Sequence, residues 1–332
     1  MIIAWVKDYL TNRSQYVVVN GASSQPSAVV SGVPQGSVLG PLLFIIYIND
    51  LLEQELTAGS AMHVYADDIL LYRTIISTHN FLSLQSDIDK VTAWSSANFL
   101  TLNRKKCKFM VSSRRQSPSY PDIPLMIEDH PLERVLSFKY LGVLLSCDLS
   151  WSMHIQTITS RAKKVLGLLY RRFYNLSPPD VLLHLYLSLV RPHLEYASVV
   201  WSPYLKKDIF HLENVQKFGL RMATKMWTYP YHYLLYRSHL NSLESRRSIA
   251  RLCTLFKLLH QLDYAECTVS LRSKYIAIKL GLHLTLCQPF CQSNFSYHSF
   301  LPFTISLWNK LDLSIVSSSL KSFKHSLMKL YA

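Results

Sequence analysis

Two adjacent aspartates, Asp67 and Asp68, interrupt an apolar stretch in HVYADDILLY, residues 63–72. Side-by-side carboxylates repel each other and lose hydration on burial, so such a pair belongs at an exposed turn or around a cation. Val64, Tyr65 and Ala66 precede the pair and Ile69 to Tyr72 follow it, short apolar runs of the kind that form buried strands. The pattern predicts an antiparallel hairpin with both carboxylates at its tip. An ordinary acidic turn and a metal-holding turn share this pattern, so the rest of the chain has to separate them. A second polar position stands in SGVPQGSVLG, residues 31–40, where Gln35 offers both donor and acceptor and Gly36 lets backbone approach a ligand closely.

The elements that must position these residues can be read in order. Ile2, Ile3, Val6 and Leu10 fall at helical spacing, and Asn20-Gly21 between two β-rich runs signals a hairpin. Pro41 opens an apolar helix, where its missing N–H costs nothing. Residues 80–100 predict an amphipathic helix through Leu84, Ile88, Val91 and Trp94, followed by a strand carrying a basic cluster in LTLNRKKCKFM. LSFKYLGVLL at 136–145 reads as a strand pair or a strand end. Helix, strands, helix and strands in this order predict an α+β fold, an antiparallel sheet with helices on one face.

Beyond Trp151 the pattern turns helical. Ile155, Ile158, Ala162, Val165, Leu169 and Phe173 form an apolar stripe, and Arg161, Lys163, Lys164, Arg171 and Arg172 occupy the remaining surface. Five cations without an acid suit a phosphate backbone as well as they suit a solvated face. Further helical patterns, SRRSIARLCTLFKLLHQL and SSLKSFKHSLMKLY, predict a small α-helical domain over 229–332.

Composition narrows the partners. With 332 residues, 49% of them hydrophobic, the chain has material for a large core. Lys plus Arg number 35 against 21 Asp plus Glu, a net charge of +14, so nucleic acid is the expected partner. No signal peptide is visible, and PLLFIIYI at 41–48 is too short to span a bilayer. The expected setting is intracellular, nuclear or cytoplasmic, without a membrane partner. Six scattered cysteines suit buried thiols rather than a disulfide framework. Cys287 and Cys291, with His283 and His298 nearby, lack the fourth well-spaced ligand of a zinc site.

SGVPQGSVLGPLLFIIYINDLL, YADDILLY, LTLNRKKCKFM and FKYLGVLLSCDLSWSMHI, in this order and spacing, resemble the reverse transcriptases of non-LTR, jockey-like retrotransposons. The similarity starts at WVKDYLTNRSQYVVV and continues into YHSFLPFTISLWNKLDLSIVSSSLKSFKHSL, which resembles the region that follows the polymerase in these elements. The resemblance implies a partial polymerase palm over 1–148, a helical thumb over 149–228 and the element's C-terminal region over 229–332. It implies that Asp67 is the principal ligand of two Mg2+ ions, that Asp68 supports it and that Tyr65 lies beside the primer end. Gln35 and Gly36 would line the nucleotide and template pocket, and Lys106 matches the lysine that protonates departing pyrophosphate. Phe138 to Gly142 would grip the primer, while the cations of the 155–173 helix would track an RNA–DNA duplex. The implied partners are an RNA template, a DNA primer and deoxynucleotides.

Members of that family carry a third metal-binding aspartate and the fingers ahead of WVKDYLTNR. In this sequence Asp8 and Asp50 are the only other acids among the first fifty residues, and neither is placed to substitute. The expectation is a fragment that binds Mg2+ weakly and is inactive alone. A non-catalytic RNA-binding protein derived from the same element is the alternative. A viral RNA polymerase would usually carry Gly-Asp-Asp where this chain has Ala66-Asp67-Asp68.

Overall fold

A computed structural model of the chain describes residues 1–113, 123–260, 286–312, 315 and 319–331. They fall into two compact units, residues 1–111 with 115–135, and residues 112–114 with 136–332.

In the first unit, Asn20 and Gly21 both adopt positive φ, 51° and 84°, the backbone that a two-residue hairpin turn needs. Val18–Val19 and Ala22–Ser23 pair across that turn, and Arg13–Gln15 pairs with Ser27–Val29 on its flanks. Helix Gly40–Ile48 begins where Pro41 predicts it. Its entry is closed by Ser37, whose hydroxyl accepts the Gly40 N–H at 3.0 Å and donates to the Pro34 carbonyl at 2.7 Å. Helix Thr78–Ala97 starts at a capping box in which the Ser77 N–H donates to Asn80 Oδ1 at 3.1 Å. Ile48, Leu51, Val91 and Trp94 form the core of this unit, with Phe44, Met62, Val64, Ile69 and Leu100 packed on it.

Two expectations are corrected here. Among the described residues the strands pair only in twos, so no single antiparallel sheet forms. One of these pairs, Lys108–Phe109 with Glu133–Arg134, is parallel. The basic cluster is a turn and not a strand: the Lys106 and Cys107 N–H groups both donate to the Asn103 carbonyl, at 2.9 and 3.1 Å. A turn leaves Arg104, Lys105 and Lys106 all in water, whereas a strand would drive every second charge toward the core.

In the second unit, Leu141 and Gly142, with φ of 44° and 83°, close a hairpin of Ser137–Tyr140 with Val143–Ser146, the strand-pair alternative at 136–145. Helix Ser152–Phe173 buries Ile155, Ile158, Ala162, Leu166 and Leu169, so the stripe runs through Leu166, while Val165 is half-buried and Phe173 is exposed. It packs on helix Lys206–Thr224, which in turn meets Tyr186 so closely that a Cβ at Gly219 would lie 2.5 Å from that ring. Tyr186 donates to Gln216 at 3.0 Å, and Gln216 donates to the Tyr231 hydroxyl and the Asn241 carbonyl. A separate core of Leu252, Leu255, Phe256, Ile305, Trp308, Phe323 and Leu327 joins helices Leu243–Leu259, Phe300–Trp308 and Leu320–Leu330, helical where the pattern predicts it among the described residues. Among the described residues five cysteines are free and none is fully buried, against expectation, and no helix is long and apolar enough to cross a membrane.

His154 joins the hairpin to the long helix, accepting the Leu144 N–H at 3.2 Å and meeting Trp201 edge-on at 5.1 Å. Burial, helped by the charge of Arg161, pushes its imidazole down to about 4 from the ordinary 6.5. The unfolded chain therefore takes up the proton first as pH falls. Stability is full above pH 6.5 and is lost toward pH 4, by up to roughly 3 kcal/mol. Denaturant midpoints measured across that range should fall with pH for the native chain and flatten in His154→Gln; an unchanged slope in the variant would contradict this role.

Candidate functional site

The 60–73 hairpin places the two aspartates as predicted. Ser60–Tyr65 and Asp68–Arg73 pair antiparallel in register from Ser60↔Arg73 to Tyr65↔Asp68, leaving Ala66 and Asp67 as the turn. Ala66 takes a left-handed φ of 52°, which lets the chain reverse in two residues. Asp67 and Asp68 are exposed, and neither makes an ion pair among the described residues. Their like charges are tolerated because water surrounds both.

One face of the hairpin, through Met62, Val64 and Ile69, packs on the core that holds Phe44 and Ile48 of the Gly40–Ile48 helix. The opposite face carries His63, Tyr65 and Tyr72. His63 stacks on Tyr72 at 5.6 Å, and Tyr65 beside the turn is 65% exposed. Neither strand has a buried residue, which corrects the expectation of buried strands; with only two strands, one face is left open.

The base of the hairpin is held by residues that the sequence pattern passed over. Asp87 is wholly buried on helix Thr78–Ala97 and accepts the Thr57 N–H at 2.8 Å, with Lys90 Nζ at 3.5 Å. Burial pushes its carboxyl up, yet hydrogen bonds from Ser60 and Thr57 and the Lys90 charge together hold it below the usual carboxylate range. Arg73, at the far end of the second strand, donates to Ser60 Oγ at 2.9 Å and the Thr57 carbonyl at 3.4 Å. The available signal was an acid on the apolar helix face, one turn before Val91.

Gln35 is exposed between Gly32 and Gly36, both at positive φ with nothing within 4 Å of where a Cβ would stand. These glycines serve the turn, and the backbone around Gln35 is open. Lys106 is exposed, while its neighbours Arg104 and Lys108 pair with Glu128 and Glu133. Gln35, Gly36, Tyr65, Asp67, Asp68 and Lys106 thus belong to the first unit, and Phe138 and Gly142 to the second. Gly142 lies against Tyr196, whose hydroxyl donates to the Leu141 carbonyl at 3.0 Å. Arg161, Lys163, Lys164, Arg171 and Arg172 are all exposed on their helix, without a carboxylate partner among the described residues.

Carboxylate oxygens at the 67–68 turn suit a hard cation such as Mg2+ in kind. Among the described residues no third potential ligand gathers with them. Near Cys287 and Cys291, the His298 ring stacks on Tyr204 at 4.7 Å. His283 lies outside the described residues.

Residues 1–145 match the family model described as reverse transcriptase (RNA-dependent DNA polymerase). The chain is 27% identical over 228 residues to the probable RNA-directed DNA polymerase from transposon X-element of Drosophila melanogaster, covering 66% of this chain and 24% of that protein. It is 28% identical over 238 residues to the RNA-directed DNA polymerase from mobile element jockey of Drosophila funebris, covering 68% and 25%. Against the probable RNA-directed DNA polymerase from transposon BS of Drosophila melanogaster the identity is 28% over 234 residues, covering 66% and 25%. The matched region spans about a quarter of the length of these curated relatives. Over residues 1–145 this chain is thus similar to reverse transcriptases, and the curated relatives it matches over about two thirds of its length are named RNA-directed DNA polymerases of mobile elements.

Replacing Asp87 with alanine leaves the part-buried Thr57 N–H without its acceptor, a loss of about 1–3 kcal/mol. Amide exchange across 60–73 should accelerate in Asp87→Ala. Exchange as slow as in the native chain would show that the hairpin does not depend on this carboxylate.

Proposed function

We propose that this chain is the palm, thumb and C-terminal part of an RNA-directed DNA polymerase that copies an RNA template by nucleotidyl transfer. The observation that carries the proposal is a pair of exposed carboxylates at the tip of an antiparallel hairpin, inside the stretch that matches the reverse transcriptase model. Asp67 and Asp68 are the residues that would hold Mg2+, whose chemistry in this reaction is to stabilise charge on the attacking and departing oxygens. Tyr65, exposed beside them, would set the primer end, and Gln35 with Gly36 would meet the nucleotide and template. Lys106, exposed and without an ion pair among the described residues, would donate a proton to the departing pyrophosphate. Phe138 to Gly142 form the reversal that would hold the primer. Residues 1–148 would act as palm, 149–228 as thumb and 229–332 as a helical region following the polymerase, in the nucleus or cytoplasm.

The five cations of helix Ser152–Phe173 support a duplex-tracking role, because exposed charges without partners are free to displace counterions from a phosphate backbone. Binding of an RNA–DNA duplex should therefore weaken steeply with salt. Substituting Arg161, Lys164 and Arg171 by alanine should flatten the slope of log affinity against log salt by about 2–3. An unchanged slope would reduce this face to a solvated surface.

Catalysis should fail in residues 1–332 alone, since two carboxylates at one turn hold Mg2+ poorly without a further ligand. Fusion to the palm strand of a related reverse transcriptase, bringing a third aspartate and the fingers, should yield primer extension on RNA. Asp67→Asn should then lower the rate roughly a hundred-fold or more. Extension by the unfused chain would overturn the ligand count, and an active Asp67→Asn fusion would overturn the polymerase assignment.

A further inference from the structure

Residues 163–176 and 217–229 together contain seven cations, six aromatics and no acid. The structure brings rings from both segments into one cluster. Tyr170 stacks on Tyr174 at 4.7 Å, and Trp227 meets Tyr170, Tyr174 and Phe218 edge-on at 6.0, 6.0 and 5.4 Å. The Trp227 indole N–H donates to the Tyr174 hydroxyl at 2.7 Å, which fixes the two rings relative to each other. Lys225 Nζ sits 5.6 Å from the centre of the Tyr174 ring.

Part of this cluster stands clear of the core. Tyr174 packs against the buried residues of the second unit, whereas Tyr170 and Phe218 leave 39% and 42% of their surface in water. Filling space at a core margin calls for Leu or Met, which would expose less rigid apolar area. Rigid rings partly in water beside Lys225, on a surface whose cations have no carboxylate partner among the described residues, are instead what a nucleobase above a phosphate backbone fits. Arg171 and Arg172 follow Tyr170 directly on the same helix, both exposed.

We propose that Tyr170, Phe218 and Trp227 form a stacking platform for unpaired bases of single-stranded RNA, with Arg171, Arg172 and Lys225 holding its phosphates. The proposal rests on reading helix Ser152–Phe173 as a nucleic-acid-binding element, and it adds a strand that is not yet, or no longer, paired. A duplex offers this surface no base faces, because its bases are already stacked. Charge complementarity selects the occupant: a chain of net charge +14 presents here a wholly cationic rim.

The test compares oligouridylate with an RNA duplex of equal length by fluorescence anisotropy. The double variant Tyr170→Leu with Phe218→Leu should lose roughly ten-fold in affinity for the single strand. Its duplex affinity and salt slope should stay those of the native chain. The ring-preserving pair Tyr170→Phe with Phe218→Tyr should bind oligouridylate normally. Native affinity in the leucine variant, or an equal loss for both ligands at native thermal stability, would overturn the platform. Should the leucine variant not fold, tryptophan emission decides: oligouridylate should quench the native chain more than Trp227→Phe, and equal quenching overturns the proposal. A salt slope unmoved by the cation substitutions would defeat the thumb assignment itself, whereas a flattened slope with ineffective ring substitutions would defeat only the platform.

Discussion

Two adjacent carboxylates repel each other and stay side by side only in water, where a side chain is held in place by nothing except the backbone behind it. The first unit is arranged around that constraint. A two-residue turn with Ala66 in left-handed backbone puts Asp67 and Asp68 at the extreme of a six-pair ladder. Core packing through Met62, Val64 and Ile69 fixes one face of the ladder, and buried Asp87 fixes its base through Thr57 and Ser60. The buried acid and the exposed acids thus have opposite tasks. Asp87 is tied down by hydrogen bonds and serves geometry, while Asp67 and Asp68 remain available to a ligand.

The second unit separates charge from packing in a different way. Its long helix puts Ile155, Ala162, Leu166 and Leu169 into the core and keeps five cations on the outside. Gly219 lets the partner helix approach Tyr186, and fully buried Gln216 ties three segments together through hydrogen bonds. A rigid scaffold that points unpaired cations outward suits a ligand recognised by its backbone charge and shape rather than by its sequence.

Much of this was legible because it depends on local chemistry. Asn20-Gly21 marks a reversal by residue type and Asp67-Asp68 by its charge among apolar runs, and the structure turns at Asn20-Gly21 and at Ala66-Asp67. Pro41 marks a helix start, and the helical stripe near 155–173 was misread only in its last two turns, where Leu166 replaces Val165 and Phe173 turns outward. What escaped depends on contacts distant in sequence. Pairing in twos instead of one sheet is decided by which strands meet, and apolar runs look alike with one face covered or two. Asp87 was overlooked because its partners, Thr57 and Ser60, lie some thirty residues away. The aromatic cluster of Tyr170, Phe218 and Trp227 is likewise assembled from two helices and the turn after them. The reverse transcriptase resemblance was carried by ordered motifs, and the match over residues 1–145 bears it out.

The central claim, that the 67–68 turn is the metal-holding point of a polymerase, is tested most directly by locating a paramagnetic divalent ion on the chain. With isotopic label in alanine and tyrosine, Mn2+ titration should broaden the amide signals of Tyr65 and Ala66 before those of other labelled residues, at millimolar concentrations. That selective broadening should vanish in Asp67→Asn. Broadening centred elsewhere, or equal in the native chain and the variant, would contradict the assignment.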